Sequence, residues 1–154
     1  MEKTQVLLLT GGIVHDWKNT GDVLEEILRG EEGFEVTRVN DDLSVLEHPN
    51  LEPYDVVVFY WTRGELTDAQ KNGLLNWVAS GRGFSGVHGA TASFRECPEF
   101  HAMVGGLFMR HPVVRKYQVS VTDPGHEIMN GIEEFFVEDE QYLHDYDPRV
   151  KVLA

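Results

Sequence analysis

Cysteine is almost missing: the chain of 154 residues has one, Cys97. An internal disulfide is therefore excluded, neither a paired-cysteine zinc pattern nor a haem-attachment motif can be written, and a reducing cytoplasm is the expected compartment. Long apolar runs are missing too. Val6 to Leu9 is too short for the core of a signal peptide, and Val56 to Trp61 falls far below the ~18 residues of a membrane span, so no membrane partner is expected. Basic residues are scarce, 13 Lys and Arg against 26 Asp and Glu, for a net charge of −13. Such a surface repels phosphate backbones and anionic lipid, so nucleic acid is not an expected partner, whereas a neutral or cationic small molecule is compatible. There is no internal repeat, low-complexity tract or linker. What remains is an ordinary globular balance, 42% hydrophobic and 25% charged, in a length suited to one compact domain.

Val6-Leu7-Leu8-Leu9 ends in Thr10-Gly11-Gly12 and reads as a strand buried on both faces, followed by a glycine turn. Val23, Leu24, Ile27 and Leu28 then recur at helical spacing up to Gly30, the first crossover helix. Phe34 to Val39 alternates and suggests a strand nearer the edge; Asp55 to Tyr60 is nearly all apolar and belongs at the centre. Thr67-Asp68-Ala69-Gln70 fits a capping box, after which Leu74, Leu75, Trp77 and Val78 make one stripe. Gly83 to Val87 is a further short strand, and the strands ending near Thr10, Tyr60 and Val87 are all expected to be central and adjacent. Ala92 to Phe100 is weakly helical, and Val119 to Val121, Phe135 to Val137 and Val150 to Leu153 suggest the remaining strands. Strands alternating with helices over long connections predict an α/β fold, a mostly parallel doubly wound sheet with helices on both faces. No helix follows Val150 to Leu153 to cover it, so an incomplete domain, or completion by another subunit in a homo-oligomer, is expected.

In such a sheet ligands bind beyond the carboxyl ends of the strands. The first strand delivers His15, Asp16 and Trp17 there, the third Tyr60, Trp61 and Arg63, and the fourth His88; later come His111, His126, Glu140 and Tyr142. His48, His101 and His144 lack that context and read as surface residues. Gly86-Val87-His88-Gly89-Ala90, a strand breaking into glycine-flanked residues before a helix, has the backbone pattern of a nucleophile elbow. Its exposed residue is His, which suits proton transfer or metal ligation better than lasting acyl chemistry. Equally, the two glycines permit a tight turn into which His88 simply packs.

Taken in order, these residues resemble the ThuA-like (trehalose-utilisation) family. The resemblance is carried by His15-Asp16-Trp17, Tyr54-Asp55-Val56-Val57, Gly81-Arg82-Gly83-Phe84, Gly86-Val87-His88-Gly89-Ala90, Val104-Gly105-Gly106, His111-Pro112, Asp123-x-x-His126 and Asp139-Glu140-x-Tyr142. It implies a flavodoxin-like, class I glutamine amidotransferase-like fold and a role in carbohydrate metabolism. Two departures stand out: Glu127, where the family pattern has proline, and length, since the resemblance implies that the chain covers roughly two-thirds of the domain. The amidotransferase relatives place a cysteine at the elbow. Here the elbow carries His88 and Cys97 lies nine residues on, so glutamine hydrolysis through an acyl-enzyme is not expected.

Three readings of function follow. In the first, His15, His88, His111, His126 and Glu140 are catalytic acid–base groups acting on a sugar or keto-sugar, with Asp16, Trp17, Trp61, Arg63 and Tyr142 binding the small-molecule carbohydrate. In the second, His15, His88, His111 and Glu140 also supply ligands for a divalent metal such as zinc. In the third, the chain is a non-catalytic sugar-binding or interaction domain. The aromatic residues have an alternative in each reading, packing beneath a loop.

Overall fold

A computed structural model describes residues 2–154. The chain falls into two compact units, the first ending at Val104 and the second running from Gly105 to Ala154.

The first unit is a parallel sheet of four strands. β1 (Thr4–Gly12), β2 (Phe34–Asn40), β3 (Val56–Thr62) and β4 (Gly83–Gly86) lie in the order β2-β1-β3-β4, the arrangement of flavodoxin-like doubly wound sheets. The apolar run of β1 fills the middle because both its faces are covered. Val6 and Leu8 join Val36 and Val58 on one side, where Leu24 and Leu28 of helix α1 (Trp17–Arg29) pack. Leu7 and Leu9 point the other way with Val57 and Phe59, towards Leu74 and Trp77 of α2 (Asp68–Ala79) and Phe100 of α3 (Pro98–Val104). Alternate residues of one strand thus feed two cores, and helices cover both faces, as the doubly wound reading requires. The capping box of α2 forms: the Gln70 amide N–H donates to Thr67 Oγ1 and the Thr67 N–H to Gln70 Oε1.

Three expectations need correction. β1 and β3 are internal, but β4 pairs with β3 alone and is an edge strand, with Ser85 and Gly86 exposed. Two of its four residues are glycines, so it has little apolar surface to bury against a further neighbour. The helix expected from Ala92 starts later: a 3-10 turn spans His88–Ala92, and α3 begins at Pro98, whose missing N–H costs nothing at a helix start. Last, Val150 to Leu153 forms no sheet strand; it is held by Thr122, whose N–H donates to Leu153 O and whose hydroxyl donates to Val152 O.

The second unit is antiparallel. β5 (Gly106–Arg110) pairs with β8 (Leu143–Tyr146), and β6 (Arg115–Val119) with β7 (Phe135–Asp139). The strand expected at Val119 to Val121 lies earlier, meeting β6 only at Val119, and its partner is β7, which holds the strand expected at Phe135 to Val137; neither is a member of the parallel sheet. In β6 the half-buried Tyr117 and Val119 alternate with exposed residues, and antiparallel pairs tolerate one wet face. Among the described residues Met129 is this unit's one buried hydrophobic.

Candidate functional site

Three neighbouring strands of the first unit deliver aromatic groups to one place. The loop after β1 carries His15, half-buried; β3 carries Tyr60; the residue after β4 and Val87 is His88, exposed. The His15 and His88 rings meet edge-on with centroids 4.4 Å apart, and the Tyr60 ring lies nearly parallel to that of His88 at 6.3 Å.

The backbone holds His88 there at a cost. Val87 ends the sheet by donating its N–H to Phe59 O, and His88 then turns to φ +48, a left-handed conformation that residues with a side chain rarely adopt. Such strain collects at functional turns, and it lifts the imidazole off the strand as an elbow does. Gly89 follows because a Cβ there would collide with Thr62 Oγ1 and press on His15. Beside His88 a cavity of about 300 Å³ is lined by Phe84, Gly86, Thr91 and Met103.

The other candidates of this unit have separate roles. Asp16 caps α1, accepting the N–H of Asn19. Trp17 is the first residue of that helix, with the Lys18 ammonium 5.4 Å over its ring. Trp61 is a correction: at 6% exposure it is a core residue, so its ring is not presented to a ligand. Register explains this, because Trp61 stands beside Gly11 on β1, whose missing side chain makes room for the indole. Arg63, exposed at φ +71, lines a different cavity with Phe94, Arg95 and Cys97.

In the second unit, Glu140 Oε1 lies 3.3 Å from His111 Nε2, while His111 Nδ1 faces the carbonyl of Pro112 at 2.8 Å. A carbonyl only accepts, so this contact is a hydrogen bond in the tautomer with hydrogen on Nδ1. Tyr142 stacks on His111 at 6.0 Å and packs against Phe108 and His144. His126 instead caps a 3-10 turn, its Nδ1 accepting the N–H of Ile128.

His144 is exposed, as expected of a surface residue, and its ring also joins this aromatic group, where desolvation by its neighbours pushes the imidazole below the usual histidine range. The signal available for it was the spacing Tyr142-x-His144, which puts two residues of an extended segment on one face. His48 is exposed beside Glu52, as expected, whereas His101 is half-buried with its Nε2 at 3.2 Å from Phe94 O.

The four residues proposed as metal ligands thus fall into two pairs, His15 with His88 and His111 with Glu140. Among the described residues no three His, Cys, Asp or Glu side chains form a set that could hold a metal ion. No helix among them is long and apolar enough to cross a membrane.

A family model described as ThuA, trehalose utilisation, matches residues 5–154. Two solved structures have a similar fold: a ThuA-like protein from Bacteroides uniformis, 18% identical with a TM-score of 0.73, and one from Parabacteroides merdae, 22% identical with a TM-score of 0.73. Each alignment covers 92% of this chain but only 62% and 63% of the respective structure, so the chain spans less than two thirds of their length. No curated protein matches the sequence.

Proposed function

Because the chain belongs to the ThuA (trehalose utilisation) family, we propose that it acts on a sugar or keto-sugar by acid–base chemistry, with His88 and His15 as the proton-handling pair. The observation that carries this reading is the edge-on contact of the two imidazoles at 4.4 Å, with one of them on a strained elbow. An imidazole exchanges protons near neutral pH, and a positioned one contributes about 10²–10⁴-fold in rate.

The chemistry follows from the pair. A neutral His88 accepts the proton from a carbon next to a sugar carbonyl, and the electron pair of that C–H bond moves into the C–C bond as the carbonyl oxygen takes a proton. His15, edge-on to His88, is placed to supply or relay that second proton. The cavity beside His88 gives the substrate an apolar wall in Phe84 and Met103. The His111–Glu140 pair of the second unit is a further candidate acid–base dyad, because its carboxylate orients an imidazole as catalytic carboxylates do.

The test is a screen of unmodified and oxidised sugars, with and without divalent metals, on the wild type and on His88→Gln and His15→Asn. Conversion of one sugar class by the wild type, lost in His88→Gln with the melting temperature unchanged, is the expected result. Full turnover by His88→Gln would remove the assignment.

A further inference from the structure

The cavity beside His88 is bounded by side chains that the proton-handling pair does not use, and their chemistry narrows what the substrate must carry. Val78 near the end of α2, Phe84 on β4, and Met103 and Val104 at the end of α3 all line it, and all four are half-buried. Each packs against the main core from outside, so its inner part is covered while the cavity takes the rest. The Phe84 ring is a fixed wall, since Phe59 and Phe100 hold it at centroid distances of 5.6 and 6.3 Å. Met103 is the adaptable wall, an unbranched thioether that moulds to a ring placed against it. Gly86 keeps the space open: a Cβ there would come within 2.9 Å of Ala90 Cβ and 3.7 Å of the Phe84 ring.

The polar groups keep to one side. His88 and Thr91 line the cavity after the elbow, and Gly86 stands on the outer edge of β4. The N–H groups of Gly83 and Val87 are directed at β3, so by the alternation of a parallel ladder the Gly86 N–H and carbonyl turn to that open edge. A free hexose seated here would bring hydroxyls against four apolar side chains that cannot pair with them, which costs free energy. A molecule with one polar and one apolar half satisfies both sides. An apolar cavity of about 150 Å³ takes benzene. The cavity here, of about 300 Å³, has room for such a ring and the first atoms of the polar group it carries.

Resting on the proton-transfer reading of His88, we infer that the substrate is a glycoside, or its oxidised keto form, whose aglycone is an apolar ring seated between Phe84 and Met103 while the sugar lies at His88. A bare mono- or disaccharide leaves that subsite unfilled and binds more weakly. The test reads binding and not turnover, so failure of the subsite shows here and failure of proton transfer shows in the sugar screen on His88→Gln. Phenyl glucoside and methyl glucoside are each titrated into the whole chain up to about 10 mM, beyond the weak end of specific binding, with the Met103 methyl signal followed by NMR and the affinity by calorimetry. Saturable binding of phenyl glucoside that moves the Met103 methyl is expected, with methyl glucoside bound at least about tenfold more weakly. Met103→Gln and, as a second variant of nearly unchanged shape, Val78→Thr should each weaken phenyl glucoside about tenfold in chains that still melt cooperatively. No saturable Met103 shift with phenyl glucoside, methyl glucoside bound as tightly, or an affinity unchanged in both variants would each overturn the inference.

Discussion

The two units of this chain bury their apolar residues very differently. In the first, Leu7, Leu8, Leu9, Val57 and Phe59 are all fully buried on internal strands. In the second, Phe135 and Phe136 sit on an antiparallel strand at 49% and 63% exposure. A parallel strand between two helical layers has no wet face, so its composition is constrained at every position. A strand of a two-stranded antiparallel pair has only one neighbour, and its side chains need not be covered. The first unit therefore carries its own core, and its candidate site rests on rigid strand ends; in the second the candidate dyad is held by stacked aromatic side chains.

The largest effect that could break this contrast is on stability. Phe59, in ring contact with Trp61, Phe84, Phe94 and Phe100, should cost about 3–5 kcal/mol when replaced by Ala, whereas Phe136→Ala in the second unit should change stability by less than about 0.5 kcal/mol. Urea unfolding of both variants checks this, and similar losses would abolish the distinction.

A smaller loss is expected at Arg38 on β2. Its guanidinium is 11% exposed, reaches Asp22 and Glu25 at 2.5 and 3.2 Å, and donates to Lys18 O, so it ties α1 to the sheet. Arg38→Ala should cost about 1–2 kcal/mol, again by urea unfolding.

At the elbow, function and stability should part. His88→Gly removes the imidazole but suits φ +48, so it should be more stable than His88→Ala by about 0.5–1 kcal/mol, unfolding at higher denaturant, and neither variant should transfer protons. Equal stability of the two glycine and alanine variants would mean that the turn stores no strain.

The smallest effect belongs to the second unit. The Arg149 side chain hydrogen-bonds Asp147 and pushes its carboxyl down to about 2. A depressed carboxyl contributes stability above the ordinary Asp range and loses that contribution as pH falls through about 2. Carboxyl-carbon shifts across an acid titration should show this, and Arg149→Ala should return Asp147 to the ordinary range.

How much was legible in the sequence follows the same contrast. β1, β3 and the capping box of α2 were readable because each is specified by contiguous or fixed-spacing residues. The edge position of β4 was not, because what borders a strand is a tertiary fact, and an apolar reading of Gly83 to Val87 overlooked how little side chain two glycines offer. The antiparallel pairing of β6 and β7 was hidden by a long connection that resembles a crossover. At the site, His15 and His88 were legible singly through their strand-end positions, but their contact joins residues on strands separated by β3, and only the sheet order brings them together. Trp61 was misread because the glycine that accommodates it, Gly11, lies on the neighbouring strand.

The central claim is that His88, with His15, moves protons on a sugar, and the most direct measurement is deuterium exchange. In deuterated water the wild type should incorporate deuterium at the carbon next to the carbonyl of the sugar class it converts, followed by proton NMR, while His88→Gln, folded and with an unchanged melting temperature, should incorporate none above the uncatalysed rate. Exchange by His88→Gln at the wild-type rate would contradict the account.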